Sequence, residues 1–234
     1  MKIRLMAILA ILSVGIAACQ QKDLKKEDLK TSKDKASYAI GLDIGKTFKR
    51  QSIEINEDAL LQGVKDAIRK DSLYLLTDAE IQQTMMTFQK EMMEKQTAKM
   101  KELGDKNKKE GDAFLAANKT KEGVKTTASG LQYKVITAGT GATPKATDKV
   151  KVNYRGTLVN GTEFDNSYKR GEPIVFTVGS VIKGWTEALQ LMKVGDKWQI
   201  FIPSELAYGE QGAGQTIPPN STLIFDVELL GIEK

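Results

Sequence analysis

The chain has 234 residues and a mass of 25.8 kDa, enough for one large domain or two small ones. Histidine is absent and Cys19 is the only cysteine, which excludes a Ser-His-Asp or Cys-His catalytic unit and any His or multi-Cys metal site. Lys and Arg total 35 against 30 Asp and Glu, and the net charge of +5 is spread along the chain without the polybasic patch that would indicate a nucleic-acid partner.

In chain order, Lys2 and Arg4 precede an apolar run from Leu5 to Ala18. That run is short against the ~20 residues of a permanent spanning helix, so residues 1–18 read as a signal peptide. It ends in Ile16-Ala17-Ala18-Cys19, which resembles the bacterial lipobox, where the cysteine thiol takes a diacylglyceryl group and becomes the mature N-terminus. An ordinary cleavage site leaving a free thiol is the alternative, but a lone cysteine has no disulfide partner within the chain. By analogy, Gln20 rather than Asp after the cysteine favours outer-membrane sorting. The expectation is an exported lipoprotein held at the membrane through lipid on Cys19, in the outer membrane facing the periplasm or at the cell surface. Residues 19–35, dominated by Lys, Asp and Glu, have too little apolar surface to pack and are expected to be a flexible tether.

The remainder divides by composition. All five prolines and both tryptophans lie after residue 140, whereas seven of the eight methionines lie before residue 120, so a helical half (36–120) is expected to precede a half built of strands and turns (125–234). In the first half, Tyr38, Leu42 and Ile44 to Phe48 outline one helix. Asn56, followed by Glu57 and Asp58, starts a second through Leu60, Leu61, Val64 and Ile68. From Thr77, an N-cap candidate with Glu80 three residues on, the chain runs without proline to Asn118. One continuous helix there would be about 40 residues, or roughly 60 Å, long.

The apolar stripe of that helix, Ile81, Met85, Phe88 and Met92, is spaced four, three, four, with Met86 and Met93 beside it. It is expected to be the packed end, either as ordinary core or as a homodimer interface, with a polar stalk beyond Met93. Gly104 and Gly111 each cost about 1 kcal/mol in a helix and mark places where it would kink or bend.

In the second half, Leu131, Tyr133 and Val135 alternate with polar residues, as do Val150, Val152 and Tyr154, then Trp198, Ile200 and Ile202, then Leu223, Phe225, Val227 and Leu229. A short helix over Thr186 to Met192, closed by Gly195, interrupts them. The fold class expected is α+β: helices followed by an antiparallel sheet of about five strands wrapped on one short helix.

Six segments then fall in order: Val152-Asn153-Tyr154-Arg155-Gly156, Gly161-Thr162-Glu163-Phe164-Asp165-Asn166-Ser167, Val181-Ile182-Lys183-Gly184-Trp185, Ala207-Tyr208-Gly209, Ile217-Pro218-Pro219-Asn220, and Leu223 to Leu229. Together they resemble the successive signatures of the FKBP-type peptidyl-prolyl cis-trans isomerases, over the chain from Ser129 to its end. With the lipobox and Ser37-Tyr38-Ala39-Ile40-Gly41 in the helical half, the whole is similar to the macrophage infectivity potentiator and FkpA-like group of exported, homodimeric members.

The resemblance implies a proline ring seated on Trp185 and walled by Tyr154, Phe164, Val181, Ile182, Tyr208 and Phe225. It implies a backbone N–H from Ile217 and a hydroxyl from Tyr208 to the substrate, and Asp165 near the rotating bond, held by Tyr154 and Arg170. Ile174 and Ala213 stand where other members place an aromatic and a histidine at the pocket edge, which bears on macrolide affinity. The implied substrates are proline-containing exported or unfolded polypeptides. The chemistry needs no metal or cofactor, because rotation about an imide requires only that the twisted state be favoured over the planar one. A holdase-type chaperone or binding module, with incidental proline turnover, is the alternative function. In isolation each of these residues is also compatible with an ordinary core or turn role.

Overall fold

The computed structural model describes residues 24–69 and 74–233. The signal peptide 1–18 and Cys19 lie outside them. Two compact units divide between Thr77 and Asp78.

In the first unit, helix α1 spans Ser32–Gln51 and helix α2 spans Glu57–Ile68. Helix α1 begins inside the stretch expected to be a tether. Thr31 accepts a hydrogen bond from the Asp34 amide while Asp34 accepts one from the Thr31 amide, and this reciprocal cap organises a turn that composition alone reads as solvated chain. Asn56 caps α2 through the amide of Ala59, as its position before Glu57 and Asp58 predicts. Neither helix contains a buried residue, although Ile40, Leu42, Leu60, Leu61 and Val64 project from them.

The second unit opens with helix α3, continuous from Asp78 to Asn118. Of the two readings of its apolar stripe, ordinary core does not hold within the chain: the buried residues of α3 are Gly104, Gly111, Leu115 and Asn118, in the segment expected to be a polar stalk, while Ile81 and Met85 remain 40% and 49% exposed. A hydrophobic count does not register two glycines, yet those glycines let the α3 backbone come close to the rest of the unit. They serve as contact points rather than as the bends expected for them.

Seven antiparallel strands follow, two more than expected: β1 (Val124–Thr126), β2 (Gln132–Thr137), β3 (Lys149–Leu158), β4 (Glu163–Asn166), β5 (Ile174–Thr177), β6 (Lys197–Ile202) and β7 (Leu223–Glu233). Their order is β1-β2-β6-β7-β3-β4, with β5 also on β3. The extra strands come from short segments: β1 has three residues and β4 and β5 four each, too few to establish an alternating pattern. Strand β3 explains the layout, pairing β7 along one edge and, along the other, β5 through Lys149–Val152 and β4 through Arg155–Thr157.

A four-residue helix α4 (Ser167–Arg170) and helix α5 (Lys183–Leu191) complete the unit. Helix α5 starts three residues before the position expected from apolar spacing, with Ile182 as its N-cap. It buries Gly184, Trp185, Ala188 and Leu189 against the sheet. Gly184 sets how closely it lies, since a Cβ there would stand 2.4 Å from Ile202 Cγ2 of β6. The α+β class holds. One core joins α5 to the alternating residues of β3, β6 and β7, among them Val150, Val152, Ile200, Leu223, Val227 and Leu229.

Candidate active site

Where strands β3, β4, β5 and β7 curve around the start of α5, they leave a cavity of about 760 Å³. Trp185, 4% exposed, forms its floor. Tyr154 and Phe225 meet the indole edge-on, each with its ring centroid 5.2 Å away and at interplanar angles of 86° and 87°. Phe164 stands perpendicular to Phe225 at 5.4 Å, and Phe176 lies 5.9 Å from Trp185. Edge-to-face contacts of this kind hold rings at fixed angles and contribute about 0.5–1.5 kcal/mol each beyond their buried area. Gly156 makes the wall feasible: a Cβ there would lie 2.6 Å from the Phe164 ring and 2.8 Å from Phe225. Val181, Ile182, Tyr208, Ala213 and Ile217 also line it, with Tyr208 at the mouth, 42% exposed.

The polar component sits at one side. Asp165, on β4, accepts the Tyr154 hydroxyl at 2.5 Å, the amide of Asn166 at 2.8 Å, and an ion-paired hydrogen bond from Arg170. Arg170 also donates to the Tyr154 oxygen at 2.9 Å. Burial would raise the Asp165 pKa, but the hydrogen bonds from Tyr154, Arg170 and the Asn166 amide outweigh it and hold the carboxyl below the ordinary carboxylate range. The same burial, reinforced by the neighbouring carboxylate, pushes the Tyr154 phenol up to about 12.

Helix α4 brings Arg170 to this position. Asn166 caps it by accepting the amides of Tyr168 and Lys169, and Ser167 fastens it to β3 by accepting the Tyr154 amide at 2.9 Å. Glu163 ties Arg155 and Lys169 together at the rim, and those two cations depress its carboxyl to about 2.

The structure thus brings Tyr154, Phe164, Asp165, Val181, Ile182, Trp185, Tyr208, Ile217 and Phe225 to one cavity, with Arg170 behind Asp165. Two expectations change. Ile174 packs against the core and is not among the lining residues; Phe176, two residues on along β5, takes the wall position. The Ile217 amide donates to Ala213 O at 3.1 Å within its own loop, whereas among the described residues the Ile182 amide is paired with no acceptor. Phe176 was detectable as the one aromatic of its strand, but an open backbone N–H leaves no mark in a sequence.

Comparison with known proteins agrees with this geometry. Residues 141–230 match the family described as FKBP-type peptidyl-prolyl cis-trans isomerase, and residues 33–135 match the domain amino-terminal to it. The outer membrane protein MIP of Legionella longbeachae is 49% identical over 88% of this chain and 88% of its own length. The peptidyl-prolyl cis-trans isomerase Mip of Coxiella burnetii is 47% identical over 97% of this chain and 98% of its own. The crystal structure of FkpA from Escherichia coli superposes with a TM-score of 0.73 at 43% identity, covering 88% of this chain and 98% of that one. An aromatic bowl with a single hydrogen-bonded carboxylate at its side, identity at this level over most of the length, and both family domains in order lead to one assignment: the chain belongs to the FKBP-type peptidyl-prolyl cis-trans isomerases.

Proposed function

We propose that this prolyl isomerase turns over X–Pro bonds of exported polypeptides by seating the proline ring on Trp185 and presenting Asp165 and the Ile182 amide to the rotating imide. The observation that supports this is the contrast within the cavity: six aromatic side chains around one carboxylate that is already hydrogen-bonded. A planar imide owes its barrier of about 18–20 kcal/mol to resonance that separates charge between oxygen and nitrogen. Twisting the bond removes that separation, so an apolar cradle disfavours the planar state more than the twisted one. A preference of about 5 kcal/mol would accelerate rotation by nearly four orders of magnitude. The unpaired Ile182 N–H is available to the substrate carbonyl, Tyr208 offers a hydroxyl at the mouth, and Asp165 supplies a fixed dipole beside the bond. Nothing in this sequence of events moves a proton.

For placement in the cell, the lipobox at Cys19 and the relative named outer membrane protein MIP support an envelope lipoprotein anchored in the outer membrane. The domain plan is a signal peptide, a tether, helices that dimerise together with the stalk of α3, and the isomerase domain from residue 125.

The full mature chain, assayed with a short X–Pro peptide, is expected to lose about 10- to 100-fold in kcat/KM on Asp165→Ala, the size of one hydrogen bond to a charged group. Phe225→Ala, which opens the wall, is expected to lose at least as much. Unaltered turnover in both folded variants would refute this use of the cavity.

A further inference from the structure

The loop that carries Ile217 into the cavity is tied to itself on one side and to α3 on the other. Ala213 and Ile217 exchange backbone hydrogen bonds at 2.8 and 3.1 Å, Asn220 N–H donates to Gly209 O at 2.8 Å, and Ser221 Oγ donates to Pro218 O at 2.7 Å. Behind it, α3 presents one face at helical spacing. A Cβ on Gly104 would lie 3.1 Å from Pro219 Cβ and 3.2 Å from Asn220 Nδ2. Asn107 Nδ2 donates to Pro219 O at 2.9 Å. A Cβ on Gly111 would lie 2.3 Å from Thr222 Oγ1 and 3.1 Å from Thr222 Cβ. Lys108 pairs with Glu205 at 3.1 Å, in the turn before Tyr208. Glycine is a poorer helix former than alanine, so the closeness each one permits has to offset that cost.

We propose that Gly104, Asn107 and Gly111 are positioning residues: this face of α3 sets the height of the Ile217–Thr222 segment over Trp185 and so tunes prolyl turnover from outside the cavity. The inference rests on the reading of that cavity as the isomerase site. A methyl group at residue 111 meets buried Thr222 and displaces the loop, and a shift of about 1 Å at a binding wall is enough to cost up to about a hundredfold in rate.

The test uses the full mature chain at a temperature well below the unfolding of every variant, with a proline peptide as substrate and the backbone amide resonance of Ile217 as a second readout. Gly111→Ala is expected to lower kcat/KM about tenfold, mainly through KM, and to move the Ile217 resonance. Gly111→Ala combined with Thr222→Ala, which removes the hydroxyl, is expected to recover to within about threefold of the parent and to restore the resonance. Asn107→Ala, which adds no bulk, is expected to give a smaller loss in the same direction, and it carries the test should Gly111→Ala fail to fold. Parental kcat/KM with an unmoved Ile217 resonance in the folded variants overturns the proposal. If the parent protein itself does not turn over the peptide, the cavity reading fails, while the resonance still decides whether α3 sets the loop.

Discussion

Tyr154 connects the apolar and polar parts of the site, since its ring packs on Trp185 while its hydroxyl serves Asp165 and receives Arg170. Its protonation behaviour and that of Asp165 fix the pH response. The folded-state pKa of Asp165 is depressed below its ordinary value of 3.8, so the stability it contributes is complete above that value and is lost as pH falls through the lower folded value. For Tyr154 the folded value is raised from 10.0 to about 12, so its contribution is complete below 10.0 and lost as pH climbs through about 12. Neither window reaches neutrality, and with no histidine in the chain kcat/KM is expected to be level from about pH 5 to about pH 9. A step of more than about threefold inside that range, in a pH–rate profile of the peptide assay, would show that some other group titrates during turnover. At this scale the sequence is legible where a side chain forms the cavity, as with Trp185, Asp165 and Phe225. It places Ile182 on the wall but says nothing of its unpaired amide, and Phe176, marked only as the one aromatic of β5, lies in a strand too short to show a period.

Among the elements, α5 shows how one small residue decides what a large one can do. Trp185 becomes a floor only because α5 lies close to β6, and that closeness depends on Gly184 lacking a side chain next to Ile202. Gly184→Ala forces a methyl group against a fully buried Ile202, an overpacking that costs about 1–3 kcal/mol. The urea midpoint of the variant is expected to fall with an unchanged slope, and an unaltered midpoint would show that the contact yields without cost. The long strands β3, β6 and β7 and helix α2 were legible because alternation or a capping asparagine is written locally. Helix α3 was legible in extent but not in orientation. Its burial runs through Gly104 and Gly111, whose significance depends on Pro219 and Thr222 more than a hundred residues away, and no window along the helix contains that information.

For the whole molecule, composition changes near residue 120, whereas compact packing divides at Thr77 and Asp78, because the last third of α3 belongs by contact to the sheet. What remains is short of partners. Helices α1 and α2 bury no residue, and Met85 and Ile81 on α3 stand in solvent. A unit in which no described residue is buried lacks the apolar burial that offsets the conformational entropy of ordering it, on the order of 1–2 kcal/mol per residue. A second copy of the chain is the economical source of that burial, since self-complementary apolar faces favour a two-fold dimer.

The mature protein is therefore expected to scatter light as a dimer at micromolar concentration, with Ile81, Met85, Phe88 and Met92 within the shared surface. Met85→Glu would place a carboxylate in that surface, and the dimer is expected to weaken at least about tenfold, since a buried unpaired charge is strongly disfavoured. Short-peptide turnover in this variant is expected to stay within about twofold of the parent, because Trp185, Asp165 and the loop on α3 all lie within a single chain. A mature chain that is monomeric at that concentration, or a Met85→Glu variant that remains fully dimeric, would require the exposed stripe to have another occupant.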